Sequence, residues 1–226
     1  MTIVSIKIGT TGELRRVELS DGSFFSFKTC YLPPIFTNES LLTPGMAEGR
    51  ELDAGEEEGF RFASACLRAE KAALRLIARA EQSVFGLSRK LERRGCTPAC
   101  TRAVISRLID LELLDDRRFA RLWLETRLLR PASPRRLFGG LRARGIDHDD
   151  AESALKAVLD DETEQALLAR FAAKQRRSRA FRNAETKAAE YRWGFDALRT
   201  LKFLLKSEGF STGAIQRYFG ELDEAP

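Results

Sequence analysis

Three stretches of the sequence share one pattern: LSRKLERRGC (residues 87–96), LFGGLRARGI (residues 137–146) and LKFLLKSEGF (residues 201–210). Each has two leucines four residues apart, a glycine four residues after the second leucine, and an apolar residue (or cysteine) directly after the glycine. Residues at i and i+4 share one face of a helix, and a glycine in the left-handed conformation often ends a helix. The pattern predicts three helices that end at Gly95, Gly145 and Gly209.

The similarity continues beyond each glycine, since apolar residues recur nine, ten and thirteen positions later. Thr97-Pro98 and Ser133-Pro134 each place an N-cap oxygen before a proline, which is typical of a helix start. Thr97 would begin the helix after Gly95, and Ser133 the helix that ends at Gly145. Asp147 and Ser211 are further candidate caps. With leading helices at about 58–82, 115–130 and 162–192, each repeat has three helices. We expect about nine helices, stacked as an extended, curved array in which neighbouring repeats make the contacts.

The first thirty residues have a different pattern. Val4, Ile6 and Ile8 alternate with polar residues, and Asp21-Gly22 lies between two further strand-like segments, which predicts a hairpin with a type I′ turn. Prolines, glycines and an acidic run between residues 33 and 59 break any long element, so we place a domain junction there.

The predicted fold is therefore mainly α: tandem three-helix repeats preceded by a small N-terminal β-meander. The expected domains are an N-terminal β-segment with its linker (1–57), repeat 1 (58–112), repeat 2 (113–160) and repeat 3 (161–226).

Composition narrows the possible functions of the 226 residues. His148 is the single histidine, which argues against histidine-based catalysis and His-rich metal sites. The sequence has no apolar leader and no run long enough for a membrane span, so we expect a soluble, cytoplasmic protein without membrane partners. Its four cysteines fit reduced thiols in a chain that is long enough to bury a core.

The charge is unevenly distributed. The whole chain has 38 basic and 33 acidic side chains, but residues 61–146 have 20 basic and 8 acidic ones. Residues 170–206 form a second basic stretch, with 11 basic and 3 acidic side chains. Although single arginines are usually solvated, two such stretches favour binding to a polyanion.

Several residues admit two interpretations. Asp115 and Asp116 could be a metal-binding pair, but aspartates at the start of a helix more often cap it. Phe119 and Trp123 could stack on nucleic-acid bases, although packing in the core fits their helical spacing better. Cys96 and Cys100 lack the CxxC spacing of a zinc site, and no phosphate-binding loop or nucleophile elbow occurs.

The segment LDDRRFARLW (residues 114–123), followed by Arg127 and by LFGGLRARGI, resembles the RecX family, the regulatory proteins that act on the RecA recombinase. The resemblance covers about residues 62–222. Two departures are Gly139-Gly140, where the family usually has better helix formers, and a third repeat that is matched mainly by residues 203–210.

The resemblance implies a protein without enzymatic activity or cofactor that binds the groove of the RecA-DNA filament and modulates RecA, usually by inhibition. Direct contact with single- or double-stranded DNA is possible, and we expect a monomer. An alternative is a basic helical transcription factor, although no helix concentrates base-reading side chains; a metal-dependent nuclease built on the aspartate pairs is a weaker one. The candidate filament or DNA contacts are Arg89, Lys90, Arg93, Arg94, Arg117, Arg118, Arg121, Arg135, Arg136, Arg142 and Arg144.

Overall fold

The computed structural model describes residues 1–10, 12–33, 48–177 and 194–223. Over these ranges it has three β-strands and nine α-helices. The prediction of a mainly α-helical protein with a small N-terminal sheet is confirmed. The chain divides into two compact units, Met1–Asp115 and Asp116–Pro226.

The sheet contains β1 (Ile3–Ile8), β2 (Leu14–Leu19) and β3 (Phe24–Lys28), which are antiparallel and neighbours in that order. The predicted hairpin between β2 and β3 is present, but the prediction of a type I′ turn is wrong. Gly22 has a φ of 83°, whereas Ser20 and Asp21 do not have a positive φ. The Gly22 N–H donates to the Leu19 carbonyl at 3.0 Å, so a three-residue loop ends in a left-handed glycine instead.

The described part of the first unit contains three α-helices, α1 (Ala54–Ile77), α2 (Val84–Glu92) and α3 (Pro98–Asp110). The second contains six helices in its described part. They are α4 (Asp116–Leu128), α5 (Pro134–Arg142), α6 (His148–Val158), α7 (Asp161–Arg176), α8 (Gly194–Ser207) and α9 (Thr212–Asp223). The predicted leading helix at 162–192 corresponds to α7 as far as Arg176, and residues 178–193 lie outside the described part of the chain.

The sheet and the first repeat share one hydrophobic core. The Phe27 ring of β3 stacks on the Phe60 ring of α1, with centroids 4.9 Å apart. Lys28 Nζ lies 2.7 Å from Oε1 of the buried Glu70, and Arg107 Nη2 lies 2.7 Å from Glu13 Oε2. A junction was expected between residues 33 and 59, yet the apolar and ionic contacts across it join the β-segment to α1 and α3.

The second unit has a core of its own, which the second and third repeats build together. Leu124 of α4, Leu141 of α5, Leu167 of α7 and Leu205 of α8 are all essentially inaccessible to solvent. Repeats two and three therefore bury apolar surface against each other, which is the main stabilising contribution in such arrays.

The three repeated glycines end their helices in the same way. Gly95, Gly145 and Gly209 have φ values of 84°, 82° and 88°. In each case the N–H of the next residue donates to a carbonyl five residues back at 3.2 Å, as in Cys96 to Leu91 and Ile146 to Leu141. This is the Schellman arrangement, which satisfies carbonyls that the helix end would leave unpaired.

Side-chain caps begin several helices of the repeats. The Thr97 hydroxyl accepts a hydrogen bond from the Cys100 N–H, and the Ser133 hydroxyl accepts one from the Arg136 N–H, both at 3.3 Å. Asp147 and Ser211 cap α6 and α9 in the same manner. These caps fix where each helix starts and therefore which way its arginines project.

Candidate functional site

Four of the candidate contacts form an exposed basic surface on the first unit, which we call the α2 basic face: Arg89, Lys90, Arg93 and Arg94. Arg89 lies over the Phe85 ring at 5.7 Å, and Lys90 Nζ lies 2.5 Å from Gln82 Oε1. Neither contact neutralises a charge. The face therefore presents four cations at the C-terminal end of a helix, with Glu92 as the acidic side chain of that stretch.

Three more candidates lie on α4 in the second unit. Arg117 and Arg121 are exposed, whereas Arg118 is half-buried. Arg117 Nε lies 2.8 Å from Asp150 Oδ1, but the arginine side chain is still 82% exposed. At that exposure the ion pair contributes little to stability, so Arg117 can be drawn to another anion.

Arg135 and Arg136 lie at the N-terminus of α5, where the second repeat meets the end of α8. The Arg135 N–H donates to the Glu208 carbonyl at 3.0 Å, and the buried Ser133 hydroxyl is hydrogen-bonded to the Glu208 carboxylate. Arg136 Nε lies 3.8 Å from the same carboxylate. This end of α5 therefore joins two repeats, while Arg135 and Arg136 are both still exposed.

The remaining two candidates hold the C-terminal end of α5. Arg142 donates to the Ile146 carbonyl at 2.8 Å, and Arg144 donates to the Gly140 carbonyl at 2.7 Å. Both side chains therefore satisfy backbone carbonyls near the helix end, where cations also interact well with the helix dipole.

An aromatic-arginine cluster lies beside this helix end. The guanidinium carbons of Arg144 and Arg127 lie 4.5 and 5.3 Å from the centre of the Trp123 ring. Burial lowers the pKa of the Arg144 guanidinium, and the charge of Arg127 lowers it further. Trp123 and Phe119 are half-buried and pack against the core of the second unit.

The aspartates of the LDDRRF segment lie at the start of α4. Asp115 is the exposed residue directly before the helix, and Asp116 is its first residue. Among the described residues no group of three or more His, Cys, Asp or Glu side chains is placed to hold a metal ion. His148 is exposed and begins α6 after its cap, Asp147.

The basic residues differ in what surrounds them. The α2 basic face and Arg121 are exposed, whereas Arg142, which is also exposed, and the half-buried Arg144 donate to backbone carbonyls. Sequence reasoning missed Arg127 as a partner of Trp123, although its spacing of four residues on one helix was a usable signal.

In the part of the chain that the structure describes, no helix is long and apolar enough to cross a membrane.

Comparison with known proteins connects this geometry to a family. A model of the first three-helix domain of RecX matches residues 69–108, and a model of the second matches residues 115–155. A regulatory protein RecX from Treponema pallidum (strain Nichols) is 43% identical over 117 residues, which are 51% of this chain and 71% of the relative. The chain belongs to the RecX family.

Other RecX proteins agree with this assignment. The regulatory protein RecX of Halorhodospira halophila is 33% identical over 153 residues, which are 68% of this chain and 87% of the relative. The crystal structure of a regulatory protein RecX covers 95% of this chain with a TM-score of 0.67 at 18% identity. The crystal structure of RecX from Lactobacillus salivarius covers 72% with a TM-score of 0.54 at 22% identity. At these identities the two structures establish that the fold is shared.

Proposed function

We propose that this RecX protein inhibits the RecA recombinase by binding in the groove of the RecA-DNA filament. The observation that carries the proposal is family membership together with the α2 basic face, which presents Arg89, Lys90, Arg93 and Arg94 to solvent. Exposed cations interact favourably with phosphates and with acidic protein surface.

The second unit carries a proposed set of contacts of its own: Arg117, Arg118, Arg121, Arg135 and Arg136. We expect Arg142 and Arg144 to contribute less to filament binding, because each donates to a backbone carbonyl of its own repeat. Repeats 58–112, 113–160 and 161–226 are the proposed filament-binding modules, and residues 1–57 support the first of them through the shared core.

The direct test is RecA-catalysed ATP hydrolysis on single-stranded DNA, titrated with this protein. We expect inhibition at well below one copy per RecA subunit. A variant with Arg89→Ala, Arg93→Ala and Arg94→Ala should stay folded, since exposed substitutions usually change stability by less than about 0.5 kcal/mol each. It should require about tenfold more protein for the same inhibition, a loss of roughly 1.4 kcal/mol in binding.

A matched control removes the same charge elsewhere. Arg75, Arg79 and Arg102 are exposed and lie outside the proposed surface, so their triple alanine variant should inhibit RecA like the parent. If both triple variants inhibit equally well, the contact surface is not the α2 basic face. The protein alone, mixed with ATP and DNA, should release no phosphate, and it should sediment as a monomer.

Direct DNA binding is a separate part of the proposal. Because arginines rather than base-reading side chains dominate the surface, binding to an oligonucleotide should be weak, tolerant of sequence and steeply dependent on salt. The measurement is fluorescence anisotropy of a labelled oligo-dT between about 50 and 200 mM salt. An affinity that stays constant over that range would contradict contact through phosphates.

A further inference from the structure

A groove of about 420 Å³ runs between strand β3 and helix α1 in the first unit. Phe24, Phe25 and Ser26 line it from the strand. Side chains of consecutive strand residues point to opposite faces of a sheet, so three in a row line one cavity together only at the edge of the strand. The groove therefore follows the outer edge of β3.

This edge has backbone groups that no described strand pairs. β3 is the last strand of the sheet and contacts β2 on its other side. The Ser23 carbonyl accepts from the Leu19 N–H, and the Thr29 N–H donates to the Glu13 carbonyl, so the odd-numbered residues between them bond to β2. Antiparallel pairing alternates, and the N–H and C=O groups of Phe24 and Ser26 consequently point into the groove.

Helix α1 supplies a basic rim on the opposite side. Arg61, Arg68 and Lys71 line the groove. Arg61 is paired with Glu57 and Glu58, at 2.5 and 3.0 Å. No described acidic side chain pairs with Arg68 or Lys71, so two positive charges in the groove are available to a ligand.

The floor between rim and strand is apolar except for one hydroxyl. Leu67 and Phe25 contribute carbon surface, and Ser64 lies among them with 6% exposure. The Ser64 hydroxyl has no hydrogen-bond partner among the described residues. An unsatisfied buried hydroxyl is costly, and a ligand that bonds to it removes that cost.

We propose that this groove binds an extended, acidic segment of a partner protein, which adds a fourth strand to the sheet along β3. Its backbone would pair with Phe24 and Ser26, its carboxylates with Arg68 and Lys71, and one apolar side chain would lie on Leu67. A polar group of the segment would bond to Ser64. The ladder of backbone donors and acceptors favours a peptide over a nucleic acid, because a phosphate chain has no N–H groups to pair with it.

The test uses the full chain with a labelled peptide and needs neither RecA nor DNA, so its outcome is independent of the regulatory function. The probe is a blocked octapeptide with two central valines flanked by glutamates and aspartates. We expect saturable one-to-one binding by fluorescence anisotropy. A peptide with lysines in place of the acidic residues should not bind. Two further peptides are N-methylated at alternate positions, one at the odd-numbered and the other at the even-numbered backbone nitrogens. One of the two should lose binding, because only one set of N–H groups faces β3.

Protein variants locate the site. Arg68→Glu with Lys71→Glu should weaken binding by about tenfold or more, whereas Arg79→Glu with Arg102→Glu, which changes the net charge equally, should not. Ser26→Pro should block strand addition while keeping the bonds to β2, and circular dichroism verifies that it is folded. No binding of the acidic peptide, equal loss in both charge-reversal variants, or displacement of the bound peptide by oligo-dT would each overturn the proposal.

Discussion

The indole of Trp123 occupies the space that a side chain at position 140 would need. A Cβ atom on Gly140 would lie 2.5 Å from Cη2 of Trp123 and 3.2 Å from Cζ2. A Cβ atom on the neighbouring Gly139 would have no described atom within 4 Å apart from its chain neighbours and its own helix backbone. The two glycines of α5 are therefore not equivalent, although both reduce the helix propensity.

Gly140→Ala should destabilise the protein by about 1 to 2 kcal/mol, because the strain of overpacking against the ring exceeds the gain in helix propensity. Gly139→Ala is the matched control, and it should stabilise the protein by up to about 1 kcal/mol. Urea denaturation followed by circular dichroism measures both. Equal effects of the two substitutions on the free energy of unfolding would show that the Trp123 ring moves aside at little cost.

Trp123→Ala should cost about 2 to 3 kcal/mol, below the 3 to 5 kcal/mol of a fully buried aromatic residue, since the indole is half-buried. It loses its packing on the core and its contacts with two guanidinium groups. Leu129→Ala, at a side chain with 78% exposure, should stay within about 0.5 kcal/mol. Thermal unfolding of both variants, alongside RecA inhibition at a temperature where they are folded, separates packing from contact.

Gly145→Ala should cost about 1 to 2 kcal/mol, because a residue with a Cβ atom is strained at a φ of 82°. Gly145→Asn should cost less, since asparagine tolerates the left-handed region better than alanine. Equilibrium unfolding of the two variants compares these costs. If alanine and asparagine behave alike, backbone strain is not what makes glycine necessary there.

Phe27→Ala should cost about 3 to 5 kcal/mol, because this fully buried ring joins the sheet to α1. Phe24→Ala, on the same strand three residues earlier and 54% exposed, should cost far less. A chain that begins at residue 58 should correspondingly lose helicity, because Phe60 and Glu70 lose their partners on β3. Native-like circular dichroism of that fragment would show that the repeats do not need the sheet.

The stability of the second unit should fall in acid through two helix caps. Hydrogen bonds from the backbone N–H groups of His148 and Asp149 lower the pKa of Asp147, and those from the hydroxyl and N–H of Thr163 lower the pKa of Asp160. A carboxyl group with a lowered folded-state pKa stabilises above its unfolded pKa, near 4, and loses this contribution as the pH falls below it. Asp147→Asn with Asp160→Asn should flatten the decrease in Tm between about pH 5 and 2.5.

Local signals explain why much of the helical framework was predictable. The Schellman glycines and the caps at Thr97 and Ser133 involve residues within a few positions of each other, so the sequence contains all of the interacting groups. The same holds for the β2–β3 hairpin, although the loop length and turn type depended on a single extra residue.

Contacts between distant residues could not be predicted in this way. Gly139 and Gly140 look alike in the sequence, and only the position of Trp123 distinguishes them. The same limit applies to the basic residues: composition identified them, but not that Arg144 lies on an indole or that Arg135 meets Glu208. The spacing of Arg61, Arg68 and Lys71 along one helix was visible, whereas the strand edge opposite them was not.

The bond between Ser133 and Glu208 joins residues 75 positions apart, and it bears on how the protein is made. A ribosome releases the chain from its N-terminus, and domains generally fold as soon as they are complete. The core of the first unit is built from residues up to Leu114, whereas the N-terminal end of α5 bonds to a residue that the ribosome releases 75 positions later. The second unit should therefore complete its core only after Glu208 has left the ribosome, and until then its apolar helix faces are exposed to chaperones.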